Sequence, residues 1–155
     1  MWAVVVEAIH SGAQTGADRA GLDAGLALGL KTGGWIPAGR RTDAGPLSVD
    51  DFSKYKLWEH PSSAYPPRTE SNVTDTDGTV VFGNPHSPGC RLTVNLCKKH
   101  KKPCLIMENV SYDAARLREW LLTLNIRVLN VAGNRERTNP GIYQLTYDIL
   151  MEALR

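Results

Sequence analysis

Three short stretches of this sequence combine glycine, small hydroxyl residues and arginine in a way that suits an anionic ligand. The first reads Ser11-Gly12-Ala13-Gln14-Thr15-Gly16-Ala17-Asp18-Arg19. Glycines at a strand-to-helix turn let backbone approach a ligand closely, and a helix N-terminus offers free N–H groups to an anion. Ser11, Gly12, Ala13, Gln14, Thr15, Gly16 and Asp18 are therefore candidate ligand-binding residues. Gly12 and Gly16 are four apart, so the stretch is not G-x-G-x-x-G. It also lacks the Gly-Lys-Ser/Thr ending of a P-loop. A plain tight turn, with Asp18 in the first helical turn, is the competing explanation.

The second stretch is Gly83-Asn84-Pro85-His86-Ser87-Pro88-Gly89-Cys90-Arg91-Leu92-Thr93. Ser87 suits an N-cap and Pro88 the first helical position. Arg91 then sits in the first turn, against the helix macrodipole, which favours acids there. An anionic ligand explains that placement, and so does an ion pair. Ser87, Gly89, Arg91 and Thr93 are the candidates. The third stretch, Ala132-Gly133-Asn134-Arg135-Glu136-Arg137, adds Asn134 and Arg135 to a polar rim, with a charged surface turn as the alternative.

Signals for catalysis are poor by comparison. No serine sits in G-x-S-x-G, because Ser11 follows His10. Cys90 lies near His86 but reads as a packed thiol rather than a nucleophile. His10, His60, His86 and His100 show no metal spacing, and no C-x-x-C pair occurs. Asp75 and Asp77 alternate faces, which suits turn and capping roles better than paired acid–base work. No directly ligated metal is expected.

The elements that must position these loops follow from the periodicity. Strands are expected at Val4–Ile9, Lys31–Ile36, Thr79–Phe82, Pro103–Met107 and Arg127–Val131. Helices are expected from Ala17 to about Leu30, from Gly89 to His100, after an N-cap at Ser111, and from Asn139 and Pro140 onward. Leu117, Trp120, Leu121 and Leu124 form an i, i+3, i+4, i+7 stripe. Ile142, Leu145, Ile149 and Ala153 should face inward on the last helix. The resulting fold class is α/β: a three-layer, doubly wound, Rossmann-like parallel sheet of about five strands in the order 2-1-3-4-5. Ligands in such sheets bind beyond the C-terminal strand ends, where the order reverses.

One segment breaks the alternation. Residues 37–77 hold five of the nine prolines, and connections this long are uncommon unless functional or disordered. Tyr55, Trp58 and Tyr65 argue for order, with a short helix around Thr69–Thr74. This excursion either folds over the C-terminal edge of the sheet and lends an arginine, from Arg40, Arg41 and Arg68, to the site, or is a structural wrap whose arginines face water. Arg40 and Arg68 join the candidate set.

The chain has 155 residues, 42% hydrophobic and 22% charged, which is one ordinary domain, 1–155. A net charge of +2 is too balanced for nucleic acid or membrane as the main partner. The run Lys98-Lys99-His100-Lys101-Lys102 reads as a solvated helix C-terminus. The apolar run from Ala3 is broken at Glu7, Met1 is followed by no basic n-region, and three cysteines are an odd number for a disulfide framework. A cytoplasmic protein with reduced thiols is expected.

The stretch from Ile9 to Ala20 resembles the opening signature of the family called Putative molybdenum carrier, a small Rossmann-like group. Gly34–Arg40, Arg68–Val73, Arg91-Leu92-Thr93 and Val128–Glu136 match its pattern in the same order, from about residue 8 to 150. More distantly, the group is similar to the lysine-decarboxylase-like proteins, which include molybdenum cofactor carriers of algae and cytokinin-activating phosphoribohydrolases. The resemblance implies a ligand phosphate on the turn at Ser87–Thr93. There the family favours Thr-Gly-Gly-Thr, while this chain has Ser87-Pro88-Gly89-Cys90, and Ala13 stands where a second glycine is usual. The phosphoribohydrolases use a glutamate one turn further on, where this chain offers Thr93, Val94 and Asn95.

The reading that results is a carrier binding a phosphorylated heterocycle, either a molybdenum cofactor (molybdopterin) or a nucleotide. The rivals are a nucleotide hydrolase of phosphoribohydrolase type and a nucleotide-sensing module. Apolar groups on the last two helices point to a homodimer or homotetramer.

Overall fold

The protein is described from a computed structural model that covers residues 5–108 and 113–155. In chain order its elements are β1 (Ala8–His10), α1 (Ala17–Ala27), β2 (Lys31–Gly33), β3 (Trp35–Ile36), α2 (Val49–Lys54), β4 (Trp58–Glu59) and α3 (Tyr65–Thr74). There follow β5 (Gly78–Phe82), α4 (Pro88–Lys99), β6 (Cys104–Met107), α5 (Ala114–Leu124), β7 (Val128–Gly133) and α6 (Ile142–Leu154). Val4 and Ser111, expected in the first strand and at a helix N-cap, lie outside the described residues.

The main sheet is fully parallel and five-stranded, in the order β2-β1-β7-β5-β6. Helices α1, α5 and α6 pack side by side, and α3 packs on α4, which gives the expected three-layer, doubly wound α/β architecture. The position of the last strand corrects the expected order. Counted along the chain, the five strands run 2-1-5-3-4, so β7 lies between β1 and β5, which the sequence reading made neighbours. Three successive buried residues on β7, Leu129 to Val131, mark a central strand. β6 alternates half-buried and buried positions, as an edge strand does. Hydropathy separates strands from helices but encodes neighbour order only weakly, since both orders satisfy the same crossovers.

The main core lies between the sheet and its helices and includes Ile9, Val80, Phe82, Leu117, Leu121, Leu129, Ile149 and Leu150. Small residues on α1 bring that helix close: a Cβ on Gly21 would meet Val131 at 2.7 Å. The single strand expected at Lys31–Ile36 divides at Gly34, where φ is +124° and any side chain would collide with the Ser11 backbone. Beyond the break, β3 pairs with β4 in a separate two-stranded sheet inside the excursion. α2 and β4 were not anticipated, because two- and six-residue elements leave no periodic signature. A second core of Ala13, Leu22, Ile36, Leu47, Tyr55 and Leu57 fastens this excursion to the body. The last helix begins later than expected. Its N-cap is Gly141, and the Glu136 carboxylate accepts from the N–H groups of Gly141 and Tyr143.

Candidate functional site

The C-terminal ends of β1, β7 and β5 are adjacent, so the loops that follow them meet at one place. A cavity of about 540 Å³ opens there. Among the expected residues its wall contains Gly12, Gln14, Asp18, Arg68, Ser87, Gly89, Thr93, Asn134 and Arg135. Asn134 ties two of the loops together. Its amide nitrogen donates to Ser87 Oγ (2.9 Å) and Cys90 Sγ (3.4 Å), and its oxygen accepts from the Asn84 N–H (2.8 Å).

The excursion closes the other side. α3 brings Tyr65, Pro66, Arg68, Thr69 and Asn72 to the wall. Arg68 donates to the Gly12 carbonyl, and its guanidinium lies 5.2 Å from the Tyr65 ring centre. Arg135 approaches the same ring at 5.1 Å and pairs with Asp43 at 3.0 Å. Asp43 also takes both a 2.8 Å and a 2.7 Å bond from Arg137, while its N–H donates to Gln14 Oε1. That one aspartate joins the excursion to the first and third loops. The Arg137 guanidinium holds its carboxyl down at about 2.

Several expected roles change. The first loop is not an open anion cradle, because its donors are already engaged. The Ala13 N–H goes to Ser11 Oγ, that of Gln14 to Asp18 Oδ2, that of Thr15 to Gln14 Oε1 and that of Ala17 to the Asn134 carbonyl. Asp18 itself plays the anion of the α1 N-terminus. Gly16 approaches the β7 loop rather than a ligand, since a Cβ there would lie 2.3 Å from the Asn134 oxygen. Ser11, Ala13, Thr15 and Gly16 support the cavity without lining it. Arg40 turns away to donate to the Leu47 carbonyl. Arg91 is exposed to solvent and folds back to donate to the His86 carbonyl, outside the cavity wall.

Ala13 adopts φ +59°, the left-handed conformation in which the resemblance places a glycine. Its methyl group is fully buried in the second core. A cost of about 1 kcal/mol for that backbone is offset by a burial gain of similar size.

The open donors belong to α4. Ser87 occupies the N-cap without a side-chain cap bond: its hydroxyl donates to the Asn84 carbonyl and accepts from the Asn134 amide nitrogen. The N–H groups of Gly89 and Cys90, second and third in the helix, thus have no side-chain cap, and both residues line the cavity. Burial pushes the Cys90 thiol up, so it is a neutral wall group and not a nucleophile. Burial also raises Asp18 to about 6, against the opposing pull of Arg68, Arg19 and the N–H groups of Gln14 and Gly12. Sequence reasoning missed Tyr65, Asn72, Cys90, Leu92, Asn130 and Thr138. Of these, Tyr65 had a signal, an aromatic close before Arg68. Asn130 lies within a strand and gave none.

Among the described residues, no group of three or more His, Cys, Asp or Glu side chains comes together to hold a metal ion. No described helix is long and apolar enough to cross a membrane. The fold closely matches a crystal structure of a Putative molybdenum carrier protein from Syntrophus aciditrophicus SB. That likeness has a TM-score of 0.88 at 38% sequence identity and covers 97% of this chain and 95% of that one. No curated protein matches the chain significantly. A family model matches residues 9–154, and the insertion of the last strand into the middle of the sheet fits its description as permuted: the chain belongs to the circularly permutated YpsA SLOG family.

Proposed function

We propose that this chain binds a small phosphorylated heterocycle, a nucleotide or a molybdenum-carrying pterin, in the cavity beyond β1, β7 and β5. The observation that carries this reading is the composition of a single wall. The uncapped N-terminus of α4 shares the cavity with Arg68 and Arg135. A helix N-terminus carries roughly half a positive charge, and guanidinium groups add a geometry matched to phosphate oxygens. The volume lies within the usual range of about 300–1,000 Å³ for small-molecule sites. Leu92, Val131 and Ala132 supply apolar surface for a ring. A molybdenum atom would arrive already held by its pterin, as cargo. The likeness to a protein described as a molybdenum carrier supports a binding role over a catalytic one.

Calorimetry with nucleoside monophosphates tests the reading. Micromolar binding is expected, weakened at least tenfold by Gly89→Asp, which sets a negative charge at the α4 N-terminus. Arg91→Ala should bind as the wild type does, since Arg91 is outside the cavity wall. Loss of binding in Arg91→Ala with none in Gly89→Asp would reverse the assignment. Release of free base or phosphate during the titration would replace the carrier reading with hydrolysis.

A further inference from the structure

The polar side chains of the cavity wall are mostly committed to the protein. Asn72 accepts from the Trp35 N–H and donates to the Trp35 carbonyl. Asn134 engages both its oxygen and its nitrogen, as described above. The hydroxyls of Thr69, Ser87, Thr93 and Thr138 all donate to backbone carbonyls. Asn130 donates to Thr79 Oγ1. What remains is asymmetric. Arg68, Arg135 and the α4 N–H groups are donors, and Asp18 is the one carboxylate among the lining residues.

An anionic ligand explains the donors but not the whole of the carboxylate beside them, which takes the Gln14 N–H and offsets the Arg68 charge and still keeps lone pairs to spare. The carboxylate is attached firmly, since Gln14 N–H meets Oδ2 at 3.3 Å. Asp18 lies in the first turn of α1, behind Gly12, whose missing Cβ would be 3.1 Å from Oδ2. An ionised carboxylate accepts at about four lone-pair sites, so two backbone donors do not exhaust it. A ligand that fills the cavity must therefore offer hydrogen donors to Asp18 or leave a charge buried and underbonded, which is costly.

Resting on the binding function proposed above, we infer that Asp18 reads the heterocycle: it accepts a pair of adjacent N–H donors from a 2-amino-4-oxo ring edge. Guanine and pterin share that edge, a ring N–H beside an exocyclic amino group. Adenine and cytosine place a ring acceptor next to their amino group, which faces a carboxylate with repulsion. Hypoxanthine and uracil offer one donor. The cavity would then select on the ring through Asp18 and on the phosphate through α4 and the arginines. Burial holds the carboxyl of Asp18 up at about 6, with Arg68 from α3 and Arg19 from its own helix keeping it ionised at neutral pH. The double acceptor is thus present under ordinary conditions.

The experiment compares GMP, IMP, AMP and UMP by calorimetry at pH 7.5, beside a pterin carrying a phosphoester on its side chain. GMP is expected to bind at least tenfold tighter than IMP, which differs only in lacking the 2-amino group. The same gap or a wider one is expected for AMP. A pterin phosphate tighter than GMP would name the pterin as the source of the edge, and the reverse would name the purine. Asp18→Asn should erase the preference for GMP over IMP while AMP binding persists. Equal affinities for GMP, IMP and AMP in the wild type, or preference for AMP, would overturn the role of Asp18 and leave phosphate binding standing. No binding of any compound would overturn the binding function itself. If Asp18→Asn fails to fold by circular dichroism, the wild-type ranking decides alone.

Discussion

Arg68 and Gly12 are 56 residues apart in the chain and form one contact, in which the Arg68 guanidinium donates to the Gly12 carbonyl. A Cβ on Gly12 would lie 1.9 Å from that guanidinium nitrogen, so the glycine is required by the arginine and not by a ligand. The Arg68 side chain is almost fully buried, which lowers its pKa and leaves it dependent on Asp18 for compensation.

Gly12→Ala should therefore displace Arg68 without breaking the first loop. The long arginine stem can move, so the cost in stability is expected to be about 1.5–3 kcal/mol, the loss of one charge-assisted bond. Nucleotide affinity should fall at least tenfold, because a guanidinium of the cavity wall leaves its position. Thermal unfolding and calorimetry on the same preparation check both halves. A large drop in stability with unchanged affinity would show that Arg68 serves the fold alone.

At Gly16 the outcome should differ in kind. Its φ is +83°, and a Cβ would meet backbone atoms of Asn134, Arg135 and Glu136 at 2.3–2.9 Å. Backbone does not yield as a flexible side chain does. Gly16→Ala should destabilise the protein by about 3 kcal/mol or more, from left-handed strain together with overpacking. Urea denaturation measures this, and a change below about 1 kcal/mol would mean that the α1–β7 junction relaxes easily.

The three loops were legible in the sequence because glycine, proline and N-cap residues punctuate strand-to-helix turns wherever they occur. Gly12, Ser87 and Asn134 belong to one cavity for that reason. What those loops do with their donors was not legible. That Asp18 takes the Gln14 N–H depends on a helix turn bringing its carboxylate back over the residue four positions earlier, and that Arg91 folds onto His86 depends on a rotamer. The neighbour order of β7 was hidden for a related reason. Asn130 lowers the hydropathy of that strand, yet its side chain is bonded to Thr79 and buried in the middle of the sheet. The excursion was recognised as ordered from its aromatics, but α2 and β4 are too short to show a period.

Asp18 gives the protein a pH dependence of definite sign. Its folded pKa, about 6, lies above the ordinary value of 3.8, so folding favours the protonated form. The stabilising contribution is complete below about pH 4 and is lost as the pH rises through 6. Comparing wild type with Asp18→Asn cancels the other carboxylates, including Asp43, whose contribution runs the opposite way. Between pH 4 and pH 7.5 the wild type should lose roughly 2–3 kcal/mol relative to the variant, measured by urea midpoints. A difference that does not vary with pH would mean that Asp18 is solvated through the cavity.

Asp43 supplies the last test, of the excursion rather than the cavity floor. It bonds Arg135 and Arg137 from the third loop, and its N–H reaches Gln14 in the first, so three segments distant in sequence meet on one residue. The Arg137 side chain is largely exposed, and exposed ion pairs add little to global stability. The expected effect of Asp43→Ala is therefore local. The melting temperature should move by only a few degrees, while protease cleavage between residues 37 and 64 accelerates severalfold. Arg135, freed from Asp43 but still beside Tyr65, should then bind phosphate as well as before or better. Limited proteolysis with and without saturating nucleotide reads this directly: ligand should slow cleavage in the wild type and in Asp43→Ala alike. Cleavage indifferent to ligand in both proteins would separate the excursion from the binding site and leave it as a structural wrap around α1.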